Sequence, residues 1–224
     1  MNPTSIVIDI ASAPIEGAAD YMEQVKAPST YKDPEKIAAY IAEKTQERIG
    51  SLALDLDLAR LTAVGILEPG QEPTVYLCRD ENDERAAIVW VKSFAPDYSH
   101  TRPFVTYNGQ SFDLPLVQRR ARYLGVQFPK LNLDRYRSPH TDLMQELSDR
   151  DPSRRRPLSF YVRRHGWADL QKPLEGAEEA RVHKSGRWDD LRASVLHDLV
   201  AAYRLACWMG VMDDVKVQQA EAVA

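Results

Sequence analysis

Tyr107-Asn108-Gly109-Gln110-Ser111-Phe112-Asp113-Leu114-Pro115 is the stretch of sequence that decides the fold. It follows a short apolar, β-rich run at 104–106 and leads into a helical pattern at 116–124. The Asn-Gly pair predicts a turn between a strand and a helix. Pro115 fits the first helical turn, because an N–H group there has no helical partner to lose. Asp113 is thus expected at a helix N-terminus, where the helix dipole favours the ionised carboxylate.

Composition limits the classes of function. The chain has 224 residues, 44% of them hydrophobic and 28% charged, with a net charge of −4. These values are ordinary for a globular protein, and the net charge excludes a generic polyanion binder. Any nucleic-acid site must therefore be a local basic surface or a metal site. Cys78 and Cys207 lie in apolar patterns, which favours buried thiols over a disulfide and predicts a cytoplasmic location.

Two further aspartates lie in apolar surroundings. Asp9 follows the β-branched run Ile6-Val7-Ile8, which predicts a buried central strand. Asp198 lies within a helix predicted from Trp188 to about Gly210. Each carboxylate alone has an ordinary explanation, as a helix cap or a water-facing side chain. An acid buried at such a place without a partner would be costly, so their position invites a functional explanation.

The order of predicted elements indicates an α/β fold. Strands are expected at 61–67 and 74–78, a helix at 81–94, and polar surface loop at 167–186. An inserted loop and helix are expected at 13–50, with Asp33 as the helix N-cap. The series strand, insert, strand, strand, helix, strand, helix is that of an RNase H-like domain, a mixed sheet flanked by helices. We expect a single domain over 1–210 and a tail at 211–224.

The central stretch also resembles a known motif. Its pattern, N-G-x-x-F-D-x-P, is similar to the second motif of the DEDD 3′–5′ exonucleases, above all the branch related to the exonuclease domain of family B DNA polymerases. Asp9-Ile10-Ala11-Ser12 resembles the first motif, in which hydrophobic residues precede D-I-E-T. His197-Asp198-Leu199-Val200 resembles the last motif. The resemblance extends over residues 5 to 210, and only the central motif matches closely.

The resemblance implies a chemistry. Phosphodiester hydrolysis needs an activated water and a stabilised leaving oxygen, and two divalent ions about 4 Å apart provide both. Mg²⁺ or Mn²⁺ would be held by carboxylates, since these ions prefer hard oxygen ligands. The implied substrate is nucleic acid with a free 3′ end, DNA rather than RNA, and no membrane is implied. Asp9, Asp113 and Asp198 would be the catalytic metal ligands, and Asn108, Phe112 and Tyr107 would contact the substrate.

The chain departs from the family pattern at two places. Ala11 stands where the family has glutamate. The tyrosine or histidine that acts as general base is also missing: Ser194 and Ala193 occupy those positions, and His197 points elsewhere on an ideal helix. Three explanations of Ala11 stay open. It is an introduced change, or the protein has diverged into a nonenzymatic binder, or another acid such as Glu16 completes the site.

Two rival functions follow from these departures. One is a catalytically silent module that binds nucleic acid or a replication partner. The other is an ordinary α/β protein whose aspartates are helix caps. Aromatic residues and a local concentration of arginines favour nucleic acid, as a possible phosphate-contacting rim. The arginines are Arg119, Arg120, Arg122, Arg135, Arg137, Arg154, Arg155, Arg156, Arg163 and Arg164.

Overall fold

We obtained a computed structural model that describes residues 5–95, 102–134, 136–170 and 176–214. A single mixed sheet lies at its centre. The strands are β1 (Ile6–Pro14), β2 (Ala59–Leu67), β3 (Thr74–Leu77), β4 (Phe104–Thr106) and β5 (Thr141–Asp142). Their order across the sheet is β3-β2-β1-β4-β5. The pairs β1–β2 and β2–β3 are antiparallel, whereas β1–β4 and β4–β5 are parallel.

Helices cover both faces of the sheet. They are α1 (Pro34–Ser51), α2 (Glu81–Phe94), α3 (Asp113–Tyr123), α4 (Leu143–Leu147), α5 (Leu158–Arg164), α6 (Gly176–Lys184) and α7 (Trp188–Trp208). Single turns of 3₁₀ helix occur at Ala18–Tyr21, Leu52–Leu54, Pro152–Arg154 and Ala168–Leu170.

Alternation along β1 divides the core into two layers, because successive side chains of a strand point to opposite faces. Ile6, Ile8 and Ile10 pack with apolar residues of α2 and α3. Val7 and Ala11 pack on the other face, with Leu191, Val195 and Leu199 of α7 among their neighbours. Asp9 has the parity of Val7 and Ala11 and therefore belongs to the α7 face. The mixed sheet with helices on both faces agrees with the predicted fold class.

Helix α1 begins as predicted. Asp33 is its N-cap and accepts the backbone N–H of Glu35 at 2.9 Å, and Pro34 is the first helical residue. No residue of α1 is buried. A helix without a buried face contributes little hydrophobic stability, so this segment is an appendage to the sheet. The predicted division into 1–210 and 211–224 stays a prediction.

Two segments differ from the sequence prediction. The loop expected from residue 13 begins later, because Ala13 and Pro14 continue β1 and pair with Arg60 and Ala59. Proline is tolerated at that point because it ends the strand. The polar loop expected at 167–186 was also wrong, since it contains α6, which contacts β1 and α7. Neither cysteine forms a disulfide: Cys78 is buried as expected, and Cys207 is half-buried.

Candidate active site

The candidate site lies where two parallel strands separate. Strands β1 and β4 pair only at Ile6 with Phe104 and at Val7 with Val105. Beyond Val7, β1 continues to Pro14 along β2. Past the carboxyl end of β4, this side of β1 therefore has no strand partner among the described residues. In open α/β sheets, ligands bind in the crevice outside the carboxyl ends of parallel strands.

Asp113 extends into this region from the first turn of α3. Its carboxylate is 6% exposed and accepts the backbone N–H of Ile10, the residue after Asp9. Burial raises the pKa of Asp113 to about 7, and the nearby charges of Asp142 and Asp198 add to that rise. The hydrogen bonds from Ile10 and from its own backbone N–H oppose it. Asp113 thus contacts the first motif, and it lies close enough to Asp198 of the last motif for that charge to raise its pKa.

Gly109 makes room for this carboxylate. A Cβ atom built on Gly109 would lie 2.5 Å from Thr106 Cβ and 2.7 Å from Asp113 Oδ2. Such distances are shorter than van der Waals contact, so only glycine permits the turn to approach Asp113 this closely. The preceding residue, Asn108, has a φ of 67°, a left-handed conformation that asparagine tolerates better than most residues. Both residues of the Asn-Gly pair are therefore required by geometry.

The Asp142 carboxylate holds the turn at 107–112 in place through hydrogen bonds. Asp142 is the N-cap of α4, and its Oδ1 accepts the Met144 N–H at 3.1 Å. It has a second function that sequence reasoning missed. Oδ1 also accepts the N–H of Asn108 at 2.9 Å, and Oδ2 accepts the N–H of Gln110 at 3.1 Å. The only signal in the sequence was an aspartate at the start of a predicted helix, which does not disclose a partner more than thirty residues away.

Asp9 and Asp198 come from elements that pack closely. Asp9 lies opposite Gly65 in the β1–β2 register. A Cβ atom on Gly65 would lie 2.5 Å from Leu199 Cδ1 and 2.6 Å from Val195 Cγ1. The missing side chain therefore allows α7 to approach the sheet beside Asp9. Asp198 directly precedes Leu199 in α7. The packing of Leu199 against Gly65 therefore places the helix that carries Asp198 over the first motif.

The three predicted substrate residues do not line one pocket. The hydroxyl of Tyr107 donates to the carbonyl of Arg156, and its ring packs edge-on against Tyr161 at 6.4 Å on the α7 side. Burial raises the pKa of Tyr107. Phe112 packs against the opposite core layer, beneath α2 and α3. Asn108 lies at the turn between them. Their contact with a substrate stays a prediction.

The two candidates for the general base have other neighbours. Ser194 is fully buried, and its hydroxyl donates to Glu179 Oε1 at 2.8 Å. His197 lies close enough to Asp169 to help lower that carboxyl's pKa, although the ion pair of Asp169 with Arg204 has the larger effect. It therefore faces the 3₁₀ turn at Ala168–Leu170. Within the described ranges, Nδ1 of His197 is buried without a hydrogen-bond partner.

The donors suit a divalent ion, but they do not form a closed cage. Among the described residues, no group of three or more Asp, Glu, His or Cys side chains has the geometry to hold a metal ion. Mg²⁺ commonly takes one or two protein carboxylates and completes its shell with water and substrate phosphate. A buried carboxylate whose pKa is raised partly by two neighbouring acids is a place where a cation would relieve repulsion. The carboxylates therefore fit this open mode of binding.

The predicted arginine rim is smaller than expected. Arg119 pairs with Asp57, Arg120 is buried against Glu84, and Arg154 pairs with Asp149 and Asp151. Arg135 lies outside the described residues. An arginine whose charge already has a protein partner contributes less to phosphate binding. Arg120 in particular was wrongly assigned to a nucleic-acid surface, since its guanidinium belongs to the core.

Comparisons with known proteins agree with the fold. Residues 52–162 match the family model of the RNase H superfamily. The family B DNA polymerase from the hyperthermophilic archaeon Pyrobaculum calidifontis is a similar solved structure, with a TM-score of 0.56 and 17% sequence identity. The match covers 93% of this chain and 25% of the polymerase chain, so this chain spans about a quarter of that protein. A search of curated proteins found no match.

These findings confirm the predicted RNase H-like fold. The family match includes the turn at 107–112 and Asp113, whereas Asp9 and Asp198 lie outside it. None of the helices in the described part of the chain is long and apolar enough to cross a membrane.

Proposed function

We propose that this chain is a metal-dependent 3′–5′ exonuclease, which its RNase H-like fold and the match of residues 52–162 to the RNase H superfamily model support. One observation carries the proposal. The Asp113 carboxylate accepts the N–H of Ile10, the residue after Asp9, and its pKa is raised in part by Asp198, so it interacts with both elements that carry the other two motif aspartates. Three ordinary helix caps would have no reason to interact across the fold.

Each aspartate has a definite part in this proposal. Asp9, Asp113 and Asp198 would hold one or two Mg²⁺ or Mn²⁺ ions. Bound there, the ions would supply an activated water and stabilise the charge on the leaving oxygen. Asp113 must be ionised to act as a ligand, and its raised pKa of about 7 means that a neutral or alkaline solution favours that form. Asp142 keeps the turn, and with it Asp113, in place.

The substrate would be nucleic acid with a free 3′ end, DNA rather than RNA. Asn108, at the tip of the turn, and the rings of Tyr107 and Phe112 would contact the terminal nucleotide. Aromatic rings stack on bases without strong sequence preference, which suits an enzyme that degrades any sequence. The short turn is held by backbone hydrogen bonds to Asp142, so its position does not depend on bound substrate.

A second candidate is a catalytically silent nucleic-acid-binding module on the same fold. A specific observation favours it: Ala11, at the position of the missing glutamate, is 1% exposed and packs in the apolar layer under α7. A chain that had abandoned catalysis would be free to fill that position with a small apolar residue. The silent module predicts binding that does not depend on divalent ions.

The test is degradation of 5′-labelled single-stranded DNA and RNA with Mg²⁺, with Mn²⁺ and with EDTA. The original chain is compared with Asp113→Asn and with Asp83→Asn, a matched change in the first turn of α2. A ladder that shortens from the 3′ end, needs the metal, and disappears only in Asp113→Asn would support the proposal. No shortening with either ion would reject it, and metal-independent retention of the labelled strand would then support the silent module.

A further inference from the structure

A locally basic segment extends over residues 152–168, which include helix α5. In a chain whose net charge is −4, this segment contains no aspartate or glutamate and five arginines: Arg154, Arg155, Arg156, Arg163 and Arg164. Arg154 is already paired with Asp149 and Asp151. The local charge of the segment is therefore opposite to that of the whole protein, which favours an anionic partner at this place.

Helix α5 turns one face to the core and leaves the other exposed. Val162 is 4% exposed and packs with Leu170 and Ala201. Phe160, by contrast, is 38% exposed, although a phenyl ring has no polar group to offer to water. A single exposed apolar side chain is ordinary on a protein surface. The neighbours of this ring distinguish it from such a case.

Three arginines accompany the Phe160 ring. The guanidinium of Arg156 lies 5.8 Å from the centre of the ring. Arg163 and Arg164 follow Phe160 by three and four residues, so they lie on the same side of α5. All three arginines are exposed, and none of them pairs with a carboxylate in the described part of the chain. We call Arg156, Phe160, Arg163 and Arg164 the α5 face.

A row of aromatic rings connects the α5 face to the candidate site. Phe160 packs edge-on against Tyr161 at 5.2 Å, and Tyr161 packs edge-on against Tyr107 at 6.4 Å. The hydroxyl of Tyr107 donates to the carbonyl of Arg156, which joins the start of the face to the same residue. Tyr107 begins the turn whose glycine approaches the Asp113 carboxylate. The α5 face therefore lies beside the candidate site.

We propose that the α5 face binds single-stranded nucleic acid and directs its 3′ end past Tyr107 toward Asp113. The guanidinium groups contact phosphates upstream of the end, and the Phe160 ring stacks on one base. A duplex fits less well, because its bases are stacked on one another and offer no free face to the ring. Binding of the strand does not depend on catalysis, whereas delivery of its end to Asp113 rests on the proposed function.

The experiment measures binding of labelled oligothymidylate and oligouridylate to the full chain by fluorescence anisotropy at several salt concentrations. EDTA is present, so that metal-dependent cleavage does not interfere. The variants are Arg156→Gln, the pair Arg163→Gln with Arg164→Gln, Phe160→Ala and Phe160→Tyr. The matched control for the pair is Arg85→Gln with Lys92→Gln, which removes the same charge from α2 on the opposite side of the sheet. Melting temperatures verify that each variant is folded.

We expect the Arg163 and Arg164 pair to reduce the slope of log affinity against log salt by about 1.4, because each phosphate contact with a single strand contributes about 0.7. Arg156→Gln should reduce it by about half as much. Phe160→Ala should weaken binding about 5- to 150-fold, the loss typical of one stacked base. Phe160→Tyr retains a ring and should bind like the original chain. These effects with either oligomer support the inference.

Two results would overturn the α5 face as a single-strand site. One is a salt slope in its arginine variants equal to that of the α2 control. The other is displacement of the strand by polyglutamate together with unchanged affinity in Phe160→Ala, since the face would then suit an acidic polypeptide.

Cleavage with Mg²⁺ separates this inference from the proposed function. A chain that binds the strand through the α5 face without shortening it would reject the exonuclease proposal and leave the binding surface in place. In a chain that does shorten DNA, the KM for a long strand should rise in the arginine variants. An unchanged KM would show that the strand does not reach Asp113 by way of the α5 face.

Discussion

Arg120 and Glu84 form a bidentate ion pair inside the protein, with Nε 2.7 Å from Oε1 and Nη2 2.9 Å from Oε2. Glu84 is fully buried, and its Oε1 also accepts the N–H of Leu61 at 2.8 Å. Since Glu84 belongs to α2, Arg120 to α3 and Leu61 to β2, the pair fixes both helices of this layer to the sheet. The strand it holds, β2, also carries Gly65, opposite Asp9.

Removing one partner of this pair should destabilise the fold strongly. Arg120→Leu removes the bidentate partner of a buried carboxylate and leaves it only Arg60, whose Nε lies 3.9 Å from Oε2. Losses of about 3–5 kcal/mol are typical when one partner of a buried ion pair is removed. The double variant Arg120→Leu with Glu84→Met should lose less, because the fully buried carboxylate is removed together with its bidentate partner, and Arg60, the cation that stays nearby, is 17% exposed. Urea unfolding followed by circular dichroism gives the free energies. A double variant that is less stable than Arg120→Leu would show that the uncompensated charge is not the cause.

Gly109→Ala should abolish metal-dependent cleavage. The new Cβ atom would overlap Thr106 and the Asp113 carboxylate, so the turn or the carboxylate must move. Misplacement of a reacting group by about 1 Å can cost about 100-fold in rate. Initial rates of DNA shortening measure the effect. The matched control is Gly50→Ala, because nothing lies within 4 Å of that Cβ position in α1. Gly109→Ala with full activity would refute the assignment of this turn to the site.

The buried side chains of His140 and Asp113 should make the free energy of unfolding depend on pH in opposite directions. Burial lowers the pKa of His140 to about 4 from 6.5, so the unfolded chain takes up this proton first as the pH falls. The contribution of His140 to unfolding free energy is therefore present above pH 6.5 and is lost toward pH 4. Asp113 behaves in the opposite way: its contribution is present below its ordinary pKa of 3.8 and is lost as the pH rises to about 7.

Single variants in EDTA should separate these effects. In Asp113→Asn, unfolding free energy should fall as the pH is lowered from 6.5 to 4, by up to about 1.4 kcal/mol per pH unit from His140. In His140→Asn, it should fall as the pH is raised from about 4 to 7, because of Asp113. Denaturant unfolding across this range is the measurement. If the unfolding free energies of the two variants changed with pH in the same direction, the roles of both His140 and Asp113 in this pH dependence would be contradicted.

Ala11→Glu should destabilise the protein and should not raise its exonuclease rate. On sequence alone, restoring the family glutamate is expected to strengthen activity. The structure reverses that expectation, because Ala11 is buried in an apolar cluster beneath α6 and α7. Burying an unpaired charge or overpacking a core typically costs 1 kcal/mol or more. Melting temperature and DNA shortening are measured together. A stable variant with a faster rate would show that position 11 accepts the acid after all.

The sequence predicted elements best where local signals agree. Helix α2 has the predicted bounds, Glu81–Phe94, because its cap, acidic first turn and apolar face all indicate the same element. Helix α6 escaped prediction because its buried face includes Val182 and the acid Glu179. Nothing local distinguishes that pattern from a polar loop. Its burial results from contact with β1 and α7, which lie far away in sequence.

In the candidate site, too, the residues with local sequence signals were predicted and those that depend on distant contacts were not. Asp113 was found because strand, turn, glycine and aspartate follow one another within a few residues. The local pattern around Asp142 is that of a helix cap, and its hydrogen bonds to the turn at 108–110 join distant segments without a local sign in the sequence. Arg120 was misassigned for a related reason. A charged residue on an amphipathic helix has the same pattern whether it faces water or a buried acid such as Glu84.

The position of β1 in the sheet also determines when the site can exist. β1 is the central strand, yet it precedes the other four described strands in the chain, and its parallel neighbour β4 comes much later. Helix α7, which carries Asp198, comes later still. A nascent chain on the ribosome therefore holds Asp9 without its partners until nearly the whole domain has emerged. Assembly of the three acids is then among the last steps of folding, so a partly made chain would lack the proposed site.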